Sequence, residues 1–416
     1  MAAGNQRSER ATPATGGRRR EVFLAFLKLG LTSFGGPVAH LGYFRDELVL
    51  RRRWLDDVTF GELVALCQFL PGPASSQVGF ALGLLRGGGL AGGALAWLGF
   101  TAPSALLLMA CALGAAAVTG PLAEGLLHGL KLVAVAVVAQ AVWGMARALT
   151  PDGPRAAIVL MAVALVVLLG GALGQVAAIA VGALAGLALC RQGPARAAVA
   201  LHFPVSRRAG LVALGLFVVL FVGPLVLVQA GGSGAVALFE SFYRSGALVF
   251  GGGHVVLPLL EAEVVRPDGL GATTFLAGYG LAQAVPGPLF TFAAYLGAAM
   301  GPATLPEAGA AAGLCGALIA LGAIFLPGLL LVYGMLPFWS ALRPLPAAQA
   351  AMRGANAAVV GLLGAALYTP VWTSAVLTPR DFAVALAGFL LLTVWQAPPW
   401  MVVVLLALTG VGLTTL

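Results

Sequence analysis

Apolar runs fill most of the chain, and short polar or Gly/Pro-rich stretches mark where they stop. Residues 21–34 begin the first membrane segment, and Gly35-Gly36-Pro37 breaks it. Residues 38–54 mix apolar side chains with Arg45, Asp46, Glu47 and Arg51-Arg52-Arg53. That pattern reads as an amphipathic stretch returning along the cytoplasmic surface. Residues 57–86 are apolar on both sides of Pro71-Gly72-Pro73 and read as one interrupted segment. A long span over 87–118, kinked near Pro103, follows, then another over 122–146 and a helical pair over 156–169 and 172–189. Segments near or above the length needed to cross a bilayer, with shorter ones between breaks, predict an all-α, polytopic membrane protein with broken or re-entrant helices and roughly 10–13 membrane segments.

Composition agrees. Hydrophobic residues make up 60% of the chain and charged residues 9%, with mean hydropathy +0.99, against about 25% charged in ordinary soluble domains. The 58 glycines and 25 prolines suit close helix packing and broken helices. Cys67, Cys111, Cys190 and Cys315 lie scattered in apolar runs without metal spacing and read as small packing residues. No cofactor, metal or nucleic acid is expected.

The most informative break is Pro71-Gly72-Pro73. Two prolines withhold backbone donors and the glycine relaxes the chain, so a continuous helix stops there. Pro73 suits the first turn of a new helix. The free N–H groups of Ala74, Ser75 and Ser76 then face the break, and inside a membrane such a helix start favours an anion. The alternative is a plain loop between helices. Repetition argues against it: Gln68 to Pro73 recurs as Gln283-Ala284-Val285-Pro286-Gly287-Pro288, shifted by 215 positions. Residues 26–30 align with 242–246, Phe34-Gly35-Gly36 with Phe250-Gly251-Gly252, and Leu149-Thr150-Pro151 with Leu377-Thr378-Pro379. The chain is a tandem duplication, and repeats of this length in an apolar chain point to a transporter.

Four regions follow. Residues 1–20 form a disordered basic arm, 21–190 a first repeat, 191–238 a basic linker with one helix at 211–229, and 239–416 a second repeat. The helix at 211–229 has no counterpart in the repeat, so it delivers the second repeat inverted. Charge agrees, because the counterpart of Arg51-Arg52-Arg53 is the acidic stretch 261–268. Positive loops stay inside, which places the N-terminus and the linker in the cytoplasm.

The runs over residues 26–44 and 66–77, with Phe250-Gly251-Gly252-Gly253-His254 and Gln283 to Pro288, closely resemble the chromate ion transporter family in its long two-domain form. The resemblance covers nearly all of the chain beyond the basic arm. It implies a non-enzymatic transporter of the bacterial inner membrane that exports chromate and confers chromate resistance, with sulfate as a structural mimic. Coupling to protons and a homodimer are open alternatives. Sulfate or another oxyanion as the true substrate is the runner-up. A lipid-phosphate enzyme is disfavoured, since no carboxylate accompanies the Pro-Gly-Pro breaks and Ser75 and Ser76 have no adjacent base.

Candidate substrate residues cluster at the breaks: Lys28, Thr32, Ser33, Gly35, Gly36, Pro37 and His40, then Gln68, Pro71, Gly72, Pro73, Ser75, Ser76 and Gln77. The second repeat contributes Arg244, Gly251, Gly252, His254, Gln283, Pro286, Gly287, Pro288 and Thr291. Lys28 and Arg244 occupy matching positions. Lys28 either faces substrate or snorkels to the interface; Arg244 either faces substrate or pairs with Glu240 one helical turn away. On this reading Lys28→Ala costs more function than Arg244→Ala. His128 and Lys131 align with Arg353 and Asn356 and either line the path or mark helix ends. Phe290 stands where Ser75 would be, so the first repeat is expected to supply more of the oxyanion contacts. An inside-negative potential favours export of a dianion by about 4.6 kcal/mol per 100 mV.

Overall fold

The computed structural model describes residues 15–415 except 116–119, 192–202, 251–252, 266–268 and 343, and all its regular structure is helical. The first half contains α1 (Thr15–Thr32), α2 (Gly36–Phe44), α3 (Asp57–Phe69), α4 (Ala74–Gly87), α5 (Leu90–Ala115), α6 (Pro121–Leu149), α7 (Gly153–Leu169) and α8 (Gly171–Leu189). After α9 (Arg207–Gln229) the same order returns as α10 (Gly234–Ala247), α11 (Val256–Val264), α12 (Ala272–Ala284), α13 (Phe292–Thr304) and α14 (Ala312–Met335). The short α15 (Trp339–Leu342) leads to α16 (Pro346–Ala366), and the short α17 (Thr373–Ala375) to α18 (Pro379–Thr393) and α19 (Pro399–Thr415). Residues 15–20 of the basic arm are helical, because α1 starts at Thr15 rather than after the arginines.

The opening segments form two helical hairpins that enter from one face and turn back. Gly35 and Gly36 adopt φ of 96° and 79°, which a side chain disfavours, so α1 stops and α2 reverses. The return arm continues through a π-helix over Arg45–Arg51. It is not a surface stretch, since Phe44 and Leu48 are fully buried. At the base, Glu21 accepts from Trp54 Nε1 at 3.1 Å and from Arg86 at 2.8 Å. Residues 57–86 are therefore a second hairpin with both ends on that face, not one crossing segment. Asp56 caps α3 through the Thr59 amide and hydroxyl, bonds that hold its carboxyl below its ordinary range.

The later half repeats this hairpin scheme. Gly234, which opens α10, lies against the Thr304 carbonyl at the end of α13. The corresponding helices α5 and α14 run antiparallel. Trp97 meets Phe325 at 5.6 Å between ring centroids, while Leu113 near the end of α5 lies against Gly313 at the start of α14. The far end of α14 then closes the core of the first hairpins: Val332, Leu336 and Trp339 join Val22, Phe26, Leu48 and Leu66.

Behind the hairpins the halves interlock. α6 packs on α18 and α19, and α16 packs on α7 and α8. Both crossings need a bare backbone. A methyl at Gly129 would sit 2.4 Å from the Leu406 carbonyl, and one at Gly354 2.1 Å from the Gly182 carbonyl. Small residues that let helix backbones touch are a main source of packing energy in a bilayer, where burial of apolar surface contributes little. α9 is apolar and faces outward along most of its length.

Candidate functional site

The four hairpin tips meet in the interior. The Gly72 amide donates to the Val249 carbonyl at 2.7 Å, and the Gly287 amide donates to the Ser33 carbonyl at 2.9 Å. These bonds are the same bond made twice, since Gly72 aligns with Gly287 and Ser33 with Val249. Each tip glycine has positive φ, 121° at Gly72 and 108° at Gly287. Gln77 secures the first Pro-Gly-Pro turn, donating from Nε2 to the Pro71 carbonyl at 2.9 Å and to the Gly328 carbonyl at 3.0 Å.

Beside the tips lies a cavity of about 590 Å³. Gly35, Pro37, Leu41, Cys67, Gln68, Leu70, Gly72 and Ala74 form the hairpin wall. Gln140, Ala141, Gly144, Met145, Ala148 and Leu149 form the α6 wall, and His254 and Asn356 complete the lining. The cavity extends to the end of α6, on the face where the first hairpins have their bases. Ala74 places the amide end of α4 at the wall, where the helix dipole and free N–H groups favour negative charge. The other polar groups are neutral. Asn356 keeps Oδ1 buried without a partner, and Gln140 Nε2 donates to the Leu392 carbonyl at 3.3 Å. His254 bonds through Nδ1 to the Tyr279 hydroxyl at 2.9 Å. Among the described residues no Lys, Arg, Asp or Glu lines this cavity.

Of the residues singled out from sequence, Gly35, Pro37, Gln68, Gly72 and His254 line the cavity. Others build the tips without lining it. Ser75 and Ser76 are buried, with Ser75 Oγ 3.4 Å from His40 Nδ1. Thr291 is buried and donates to the Pro288 carbonyl at 2.7 Å. Its neighbour Phe290 packs on Phe325, and a 3-10 turn over Leu289–Thr291 precedes α13. Gln283 keeps Nε2 buried without a partner. Gly36 sits beside His254 Nε2, and Pro73 and Pro286 flank the turns. Thr32 bonds back to the Lys28 carbonyl at 2.8 Å. Gly251 and Gly252 lie outside the described residues.

Lys28 and Arg244 are not at the cavity. Lys28 Nζ pairs with Glu47 at 2.7 Å across the first hairpin, and Glu47 also takes Arg52 at 2.8 Å and Arg51 at 3.2 Å. Arg244 pairs with Glu263 across the equivalent hairpin and with Glu240 at 2.5 Å. Both cations clasp the arms of a hairpin, at matched repeat positions. His128 pairs with Asp381 at 2.7 Å, Lys131 donates to the Ser374 carbonyl, and Arg353 to the Cys190 carbonyl. Only Asn356 of that group reaches the cavity. The α6 wall escaped the sequence reading altogether. Its signal is a small or polar stripe at 140, 144 and 148, one helix face by spacing.

The "Chromate transporter" family profile matches residues 20–189 and 236–411, both halves of the chain. A chromate transport protein of Pseudomonas aeruginosa is 29% identical, with 98% of this chain and 97% of that protein covered. Another from Cupriavidus metallidurans is 29% identical over 94% of this chain and 92% of its own length. A probable chromate transport protein of Synechococcus elongatus is 27% identical over 93% of each. No solved structure matches the chain.

Proposed function

Because the chain belongs to the chromate transporter family, we propose that it exports chromate across the bacterial inner membrane by alternating access between two inverted repeats, 21–190 and 239–416. The observation that carries this reading is a mismatch between equivalent parts. Gln68 lines the open cavity and is exposed, whereas its counterpart Gln283 is partly covered and keeps Nε2 buried without a partner. α12 packs against α6 and α19, with Gly280 on the Leu130 carbonyl; its counterpart α3 has no comparable packing on α16 or α8 among the described residues. One side is shut and the other open, in halves built to the same plan. Exchanging the two arrangements closes α3 onto α16, frees α12 from α6 and gives Gln283 the surroundings Gln68 has now. That exchange is the rocking motion expected of inverted repeats.

The open side carries Arg19, Arg20, Arg45, Arg51, Arg52, Arg53 and Arg86 near the hairpin bases. Positive charge collects on the cytoplasmic face, so the N-terminus is cytoplasmic and the cavity faces inward. Chromate then enters from the cell interior, held by the α4 amide end and neutral amides, and leaves along the potential. The test is chromate flux in vesicles of known orientation, with membrane potential and pH gradient set separately. Outward flux driven by an inside-negative potential is expected. Cells that express the protein and accumulate more chromate than controls would reverse the direction. Sulfate is the second reading, because the neutral lining recognises charge and tetrahedral shape, which the two dianions share. Competition by sulfate in the same vesicles ranks them.

A further inference from the structure

A second cavity, of about 240 Å³, opens at the outer end of the first hairpins and shares no residue with the one at the tips. Arg18 and Arg86 form its polar end, and Trp54, Leu55, Leu82 and Leu85 form its wall. The Arg86 guanidinium is anchored by Glu21 and lies 5.5 Å from the centre of the Trp54 ring. Arg18 differs. Its Nε is buried without a partner, and it has no carboxylate partner among the described residues. Its neighbour Arg19 is turned away toward the Gly87 carbonyl. An arginine facing a cavity with its donor unused, beside a second fixed guanidinium, is a fork suited to phosphate oxygens. The tryptophan and leucines match the amphipathic character of the membrane interface.

We infer that this cavity binds a phosphate-bearing anion, with Arg18 as the free ligand and Arg86 as the anchored one. Two sources carry that chemistry, the headgroup of an anionic phospholipid and free inorganic phosphate. The apolar wall suits the lipid, since a phosphate alone leaves Leu55, Leu82 and Leu85 without a role. Basic pockets between helices at a membrane face are known to take anionic headgroups.

The test uses the full-length protein in a neutral detergent, titrated in parallel with a short-chain phosphatidylglycerol and with inorganic phosphate. Binding is followed by native mass spectrometry and by Trp54 fluorescence. Wild-type protein should bind one anion at this site. Arg18→Gln should weaken binding about five-fold, the loss of one arginine at a charged membrane surface, and Arg18→Lys should restore most of it. The thermal unfolding midpoint of Arg18→Gln without ligand should match wild type, which separates a lost ligand from a damaged fold. Arg18-dependent binding of the lipid but not of phosphate assigns the site to the membrane. Arg18-dependent binding of both assigns it to free phosphate. Binding of neither, or binding indifferent to Arg18, overturns the proposal. If Arg18→Gln proves unstable, Arg18→Met carries the same test and must weaken binding as Arg18→Gln would; anion binding by Arg18→Met at wild-type strength overturns the proposal.

Discussion

Removing the two hairpin clasps should have opposite consequences from those expected from sequence. The Lys28 side chain is 47% exposed, and its partner Glu47 still faces Arg51 and Arg52 when Lys28 is gone. Glu47 is only 7% exposed but keeps two of its three cations, so the loss stays near that of an exposed ion pair, about 0–1 kcal/mol. Lys28→Ala should therefore cost no more than about 1 kcal/mol of stability. Arg244 is 22% exposed and bridges Glu240 and Glu263, whose side chains are 8% and 3% exposed. Taking one partner from a buried pair costs up to about 3–5 kcal/mol, and Glu240 and Glu263 each keep a further interaction, which sets the loss toward the lower end of that range. Arg244→Ala should be the damaging change.

Two readouts separate structure from substrate contact. Unfolding of the purified variants in a denaturing detergent reports stability, and chromate flux in vesicles, normalised to folded protein, reports transport. Lys28→Ala is expected to retain most of its flux. Arg244→Ala is expected to yield little folded protein, with Arg244→Lys recovering part of it through one of the two carboxylates. The reasoning fails if Lys28→Ala unfolds like the wild type yet transports nothing. That result would put the Lys28 amine on the substrate path.

Four other outcomes are expected. Gly72→Ala should destabilise by about 2–5 kcal/mol, since backbone strain and overpacking add and the new methyl would lie 2.9 Å from Gly328 Cα; Gly88→Ala, with open space around it, should cost only the strain part in the same unfolding assay. Gln68→Glu should cut chromate flux at least about tenfold at unchanged stability, because a carboxylate in a neutral cavity repels a dianion. In a background without native cysteines, Glu307→Cys should react with an impermeant reagent outside the cell and Arg53→Cys only inside; the reverse pattern would invert the topology. Cysteines at Ala65 and Ala355, the counterparts of Gly280 and Leu130, should cross-link only when the transporter closes its open side, and the link should stop flux.

The helix breaks were legible because glycine and proline act locally. Gly35, Gly72 and Gly287 adopt positive φ where the helices stop, and the matched motifs meet through matched bonds. The direction of α4 was not legible. Apolar residues on both sides of Pro71-Gly72-Pro73 fit a helix that continues and a helix that turns back equally well. What distinguishes them is the contact of Arg86 with Glu21, 65 positions away in sequence. The role of Lys28 was hidden for the same reason, since its partner lies on the return arm. The placement of the serines after Pro73 was not legible, because a helix start read from sequence does not say which side of it is packed. Ser75 and Ser76 face the interior of the tip, whereas Gly72 and Ala74 border the cavity.

Among the described residues the cavity lining carries no cation, which bears on how an anion could leave. At 4 Å and an effective dielectric near 20, one arginine attracts a single negative charge by about 4 kcal/mol, and a dianion by about twice that. Such a contact would outweigh the roughly 4.6 kcal/mol that 100 mV supplies for moving two charges, and the site would hold its cargo rather than pass it on. Amide groups and a helix end bind more weakly, with the dipole of a helix terminus typically worth 0.3–1 kcal/mol and up to about 2 when partly buried. A neutral site therefore leaves the membrane field as the larger quantity. The cations of both halves are used at a distance, where Lys28 and Arg244 hold the hairpins in shape. Placing a permanent charge in the lining should convert a transporter into a binder. Asn356→Lys tests this: tighter chromate binding with slower flux is the expected pair of changes, and faster flux at tighter binding would show that release is not what limits transport.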